Sequence, residues 1–193
     1  MRGNRSFGMA ALVCAASLAA PKARTEELAV SQPALQPRWV LEPRAFVGGA
    51  IVLGDARELY DAAPDVGVGI ALGRPGARLR WRASLDAQPS LDVGPGISIT
   101  LLRTNLGAAF TWRRHLVTAL EAGPILRRIA IEDEISRTVL GASVVGELGW
   151  RLRVWARWSL MPSVRYSTAW FSGDSFFWRD ISAFVTIERE TAP

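Results

Sequence analysis

Apolar and polar residues alternate with a period of two along part of this chain for longer than a soluble strand needs. The longest run is 151–170. Leu152, Val154, Ala156, Trp158, Leu160, Pro162, Val164, Tyr166, Thr168 and Trp170 fall in one register, and Arg151, Arg153, Trp155, Arg157, Ser159, Met161, Ser163, Arg165, Ser167 and Ala169 in the other. Successive side chains of a strand point to opposite faces, so one face is greasy and the other polar and basic. A typical strand has about 5–6 residues, whereas a tilted strand that crosses a bilayer needs about 9–11. The pattern predicts long strands with one apolar face each.

Turn signals divide residues 44–190 into eight such segments: 44–53, 66–73, 78–87, 97–112, 116–131, 135–148, 151–170 and 176–188. The tight turn Arg74-Pro75-Gly76-Ala77, the turn at Arg113-Arg114-His115 and that at Gly149-Trp150 lie at one end. The loops Gly54–Asp65 and Ala87–Gly96, the acidic tip Glu132-Asp133-Glu134 and the tip Ser172–Ser175 lie at the other. An even strand number, short turns on one side and longer loops on the other describe an outer-membrane barrel. Aromatic residues near strand ends fit the same picture. Trp112 and Trp150 stand beside two turns, and Trp170, Phe171, Phe177 and Trp178 flank the last loop, the expected sites of an interfacial girdle. The fold class expected is all-β, an eight-stranded antiparallel up-and-down transmembrane β-barrel.

This architecture resembles the small eight-stranded outer-membrane barrels, the OmpA/OmpX-like superfamily. The resemblance covers about 44–190 and rests on architecture rather than on a motif. Such barrels commonly end in an aromatic residue of the assembly signal, a part that Phe184 or Ile187 would take here.

The ends of the chain set the compartment. Arg2 and Arg5 precede a short apolar stretch, Phe7 to Leu18, as in a secretory signal spanning residues 1–19. Residues 20–43, with Pro21, Pro33 and Pro37, read as a periplasmic leader, and 44–190 as the barrel. Cys14, the only cysteine, lies within the signal. The bacterial outer membrane is the expected location, outer-membrane lipids are the expected surroundings, and a monomer is expected. The formal charge of +5 arises from arginines spread singly along the strands. That spacing and export both argue against nucleic acid as a partner.

On the polar register, Arg78, Arg80, Arg82, Asp86, Arg103, Glu121, Arg127, Glu147, Arg153, Arg157, Arg165 and Asp180 are expected to face the lumen. An eight-stranded barrel is just wide enough for its side chains to fill, and buried charge must be paired. Glu121, Glu147 and Asp180 are therefore expected among the arginines, in a structural network that plugs the lumen. An ion path and a ligand site stand as the alternatives.

No catalytic, cofactor or metal site is expected. His115, the only histidine, has no neighbouring serine and lies at the end away from lipid A, which weakens a lipid A-modifying activity. Glu132, Asp133 and Glu134 read as a solvated tip more readily than as a Ca²⁺ site. Gly67, Gly69 and Gly73 lack the helix of a nucleotide-binding motif and instead leave room in a curved strand. Arg74, Arg113, Arg114 and Arg151 form a basic inner rim, where inner-leaflet phosphates would lie. The main competing reading is a soluble exported, lipocalin-like barrel with its faces reversed, its apolar register around a greasy ligand. Period alone does not say which face is outward. In the membrane reading the role is structural or one of surface interaction, with the outer loops meeting an extracellular or envelope partner.

Overall fold

The computed structural model describes residues 39–54, 57, 62–94, 97–113, 115–131, 136–155, 157–174 and 177–189. The signal, most of the leader and the tip Glu132–Glu134 lie outside them. Among the described residues there are nine strand segments: β1 (Val40–Leu53), β2 (Ala62–Gly73), β3 (Leu79–Gly94), β4 (Ile97–Trp112), β5 (Leu116–Ile131), β6 (Arg137–Trp150), β7 (Leu152–Trp155), β8 (Trp158–Phe171) and β9 (Trp178–Arg189). Every pairing is antiparallel. The ring closes where β9 runs along β1, with Ile181 opposite Ile51. β7 continues the line of β6 along β8, Gly149 facing Ser163 and Leu152 facing Leu160. The molecule is a closed eight-stranded antiparallel barrel.

Residues 151–170 are not one strand. The chain reverses between Trp155 and Trp158, which face each other across two residues, and β6 with β7 carries the ladder through the expected turn at Gly149-Trp150. Alternation persists through the reversal because all four residues of β7 are exposed, past the end of the lumen, so no interior selects a face. The expected loop Ala87–Gly96 is also mostly strand. β3 runs to Gly94, paired with Ile97, and its register shifts between Gln88 and Leu91 let the ladder pass Pro89. β1 starts at Val40 and β2 at Ala62, each earlier than the sequence segments suggest.

Other local chemistry behaves as expected. In Arg74-Pro75-Gly76-Ala77 the Ala77 N–H donates to the Arg74 carbonyl at 3.0 Å, and Gly76 has φ +71°. Proline second and glycine third in the turn supply those two backbone conformations. β4 and β5 come unusually close at one point. A Cβ on Gly123 would lie 1.9 Å from the Thr104 carbonyl oxygen, and pairing lapses between Arg103↔Ile125 and Leu106↔Ala122. Gly123 permits this approach, and Pro124 supplies no N–H to the lapsed ladder.

The faces are now assigned. Even residues of β1, β3 and β9 and odd residues of β2, β4, β5, β6 and β8 point inward. The outer wall carries Val47, Leu106, Leu120 and Leu140, each 60% exposed or more. The interior carries the charges. This arrangement inverts that of a water-soluble globule, whose large apolar side chains lie inside.

Candidate functional site

Register orders the lumen into layers from the turn end to the loop end. Nearest the turns, Arg80 pairs with Glu42, and Arg151 donates to Glu188 at 2.8 Å. Ala109, Val117, Ala119 and Met161 form a small apolar cluster at this end. Above it lies a compact charge network. Glu147 accepts from Arg44 at 3.3 Å, from Arg82 at 3.1 Å and from Arg165 at 3.2 Å. Arg82 also reaches Glu188 at 3.4 Å, and Glu121 lies 3.7 Å from Arg44 and 3.9 Å from Arg82 while accepting from Ser84. Each carboxylate is shared by several guanidiniums, and this sharing makes buried charge tolerable.

Arg165 joins this layer to the next. Its guanidinium packs against the Phe46–Phe184 pair, 4.7 and 4.4 Å from the ring centroids, and its other nitrogen lies 3.6 Å from Asp86. Arg103 bridges Asp86 at 3.5 Å, Asp180 at 3.3 Å and Ser167 at 2.9 Å. Asn105 donates to Asp86 and accepts from Ser143. Arg103 and Arg165 are almost wholly buried, so the middle of the lumen is filled with protein. Closest to the loops, Val52, Leu101, Ile125, Phe171, Trp178 and their neighbours form an apolar cap. Over it Arg127 holds Asp174 through two bonds of 2.5 and 2.8 Å and lies 4.3 Å above the Phe171 ring.

Of the expected lumen residues, Arg80, Arg82, Asp86, Arg103, Glu121, Arg127, Glu147, Arg165 and Asp180 face inward. Arg78, Arg153 and Arg157 do not. They are exposed at the turn end, beyond the lumen wall, where register no longer sorts inside from outside. The girdle is corrected in two places. Trp112, Trp150, Trp170 and Phe177 are exposed on the outer wall, but Phe171 and Trp178 are buried in the cap. Phe171 shares the inward register of Arg165, and Trp178 that of Asp180. Register, not proximity to a strand end, decides where these two rings go. Sequence reasoning also missed Glu42, Arg44, Asp65, Arg151, Asp174 and Glu188. By sequence Glu42 falls in the leader, Asp65 in a loop and Arg151 on the rim, whereas Glu188 repeats the parity of Asp180 and is legible from it.

His115 is exposed in its turn, with Nδ1 3.3 Å from the Arg151 carbonyl oxygen and its ring stacked on Trp150. Among the described residues no three His, Cys, Asp or Glu side chains are grouped to hold a metal ion.

No protein-family model matches the chain, and no curated protein matches it significantly. Solved structures do. Neisserial surface protein A (NspA) aligns with a TM-score of 0.56 at 13% identity, over 78% of this chain and 97% of its own. Ail, the attachment invasion locus protein of Yersinia pestis, in complex with the heparin analogue sucrose octasulfate, aligns with a TM-score of 0.53 at 13% identity, over 77% and 98%. The fold is that of the small eight-stranded outer-membrane barrels.

Proposed function

We propose that this chain is an integral outer-membrane barrel with a structural or surface-interaction role, held in the bilayer by its outer wall and plugged by its lumen. The observation that carries the reading is the disposition of the faces: a belt of exposed Val, Leu and Ile around an interior of paired Arg, Asp and Glu. In hydrocarbon every backbone polar group must be paired within the protein, and a closed ring of strands meets that demand. A lipocalin-like barrel needs the opposite disposition, with an apolar lumen. The likeness in fold to a neisserial surface protein and to an attachment invasion locus protein favours a role at the cell surface, exercised through the loops. The filled middle of the lumen favours a structural network there over an ion path.

Fractionation with gel mobility tests the reading. The protein should leave the membrane fraction only with detergent and should migrate differently in SDS before and after boiling. Val47→Arg, midway along β1 on the outer wall, should destabilise a bilayer-embedded barrel by about 2–4 kcal/mol. Release into the soluble periplasmic fraction, with no mobility shift and a harmless Val47→Arg, would overturn it.

A further inference from the structure

The outer wall is not uniformly convex. A groove of about 740 Å³ crosses it from Val47 on β1, over β9 and β8, to Leu148 and Trp150 on β6. The registers Val47↔Val185, Pro162↔Val185, Leu148↔Val164 and Leu116↔Trp150 trace its course, from mid-wall to the rim at the turn end. Its floor is low at Ala183, whose outward side chain is a single methyl. The backbones of β1 and β9 are also pinched together. A Cβ on Gly48 would lie 2.1 Å from the Ala183 carbonyl oxygen, so no larger residue fits there.

The rim where the groove ends has its own chemistry. Trp150 stacks on His115 with the rings 5.7 Å apart and 14° from parallel. Beyond them Arg113 is exposed in its turn and Arg157 at the tip of the β7–β8 hairpin, with Arg74, Arg78 and Arg189 further round. Among the residues whose side chains are described, no Asp or Glu is exposed. Tryptophan is lopsided too. Trp39, Trp81, Trp112, Trp150, Trp155 and Trp158 are exposed at this end, and only Trp170 among the described residues at the other.

We propose that the groove and this rim together bind one anionic phospholipid of the leaflet on the turn side, an inference that rests on the membrane reading above. An acyl chain lies along the apolar groove, and the phosphate meets the arginines, whose planar heads pair phosphate oxygens through two hydrogen bonds. The indoles mark the depth at which head meets chain. The exposed arginines, with no exposed carboxylate among the residues whose side chains are described, favour an anionic headgroup over a zwitterionic one. The direction of the groove, from mid-wall to the turn rim, sets the leaflet.

The test uses the full chain, reconstituted in nanodiscs of equal phosphatidylcholine and phosphatidylglycerol, moved to detergent and read by native mass spectrometry. One retained phosphatidylglycerol, favoured at least fivefold over phosphatidylcholine, is expected. Ala183→Trp, which fills the groove, should abolish retention of both lipids. Arg113→Gln with Arg157→Gln, outside the barrel wall and so harmless to folding, should leave retention but bring the preference to parity. Equal retention of the two lipids by the wild type, no retained lipid, or a preference unmoved by the arginine changes would each overturn the proposal. A third arm offers lipopolysaccharide, and its retention in place of phospholipid would move the site to the other leaflet. Failure to enter the nanodisc at all would instead sink the membrane reading.

Discussion

Glu147→Gln tests the charge network most directly. The carboxylate is buried, with its side chain 2% exposed, and it accepts from Arg44, Arg82 and Arg165 at 3.1–3.3 Å. The amide keeps the shape and one acceptor oxygen, so no cavity confuses the result. What remains is three guanidiniums short of one negative charge. Removing one partner from a buried ion pair typically costs about 3–5 kcal/mol. Glu121, at 3.7 Å from Arg44 and 3.9 Å from Arg82, offsets part of the loss, so the low end, about 3 kcal/mol, is expected. That is about two orders of magnitude in the folding equilibrium. Urea unfolding of the barrel in lipid vesicles, followed by tryptophan fluorescence and cold-SDS mobility, measures it. Arg157→Gln is the control, because its side chain is exposed at a hairpin tip and its loss should register within about 0.5 kcal/mol. If Glu147→Gln were no worse than Arg157→Gln, the network would not hold the barrel together.

Trp178→Ala should cost about 3–5 kcal/mol, the usual loss for a large buried aromatic, since this ring is wholly buried in the cap. Planar-bilayer recordings of the same variant should stay flat, because the Arg103 and Arg165 layer still fills the lumen; steady current would make the cap the seal. Gly123→Ala should abolish the compact cold-SDS species by driving a methyl against the Thr104 carbonyl, whereas Gly146→Ala, with nothing within 4 Å of its Cβ, should fold normally. Asp174→Asn loosens a bidentate pair at the barrel mouth. It should cost about 0.5–1 kcal/mol in urea titration, less in high salt, where screening is stronger.

Period-two alternation revealed the strands and most inward residues, because a strand residue in the barrel has only two directions to face. It carried no information about depth. Arg153 and Arg165 share a parity, yet one lies beyond the wall and the other at the centre, since parity has meaning only where a lumen stands opposite. The reversal between Trp155 and Trp158 was hidden for the same reason. Pro89 and the glycines at 94 and 96 signalled a loop, but a bulged ladder absorbed the proline and β3 ran on. Trp178 and Phe171 were legible in principle. Parity counted from Asp180 and Arg165 points both inward, and register was the stronger signal. The groove on the outer wall was not legible, because it depends on which outward residues of β1, β9, β8 and β6 ring closure sets side by side.

The lumen network has a bearing on assembly. Arg44 and Glu147 are 103 residues apart, and Arg82 and Glu188 are 106 apart. Glu147 on β6 is met from β1, β3 and β8. Few hairpins neutralise themselves, so a half-made sheet would present unsatisfied guanidiniums and carboxylates along its concave side. Such a sheet has no comfortable place in hydrocarbon, and the pairs of Arg44 with Glu147 and of Arg82 with Glu188 form only when the first and last strands meet. Closure therefore acts as a checkpoint: a chain truncated before β9 should stall in water or at the membrane surface, and only a complete ring should proceed into the bilayer.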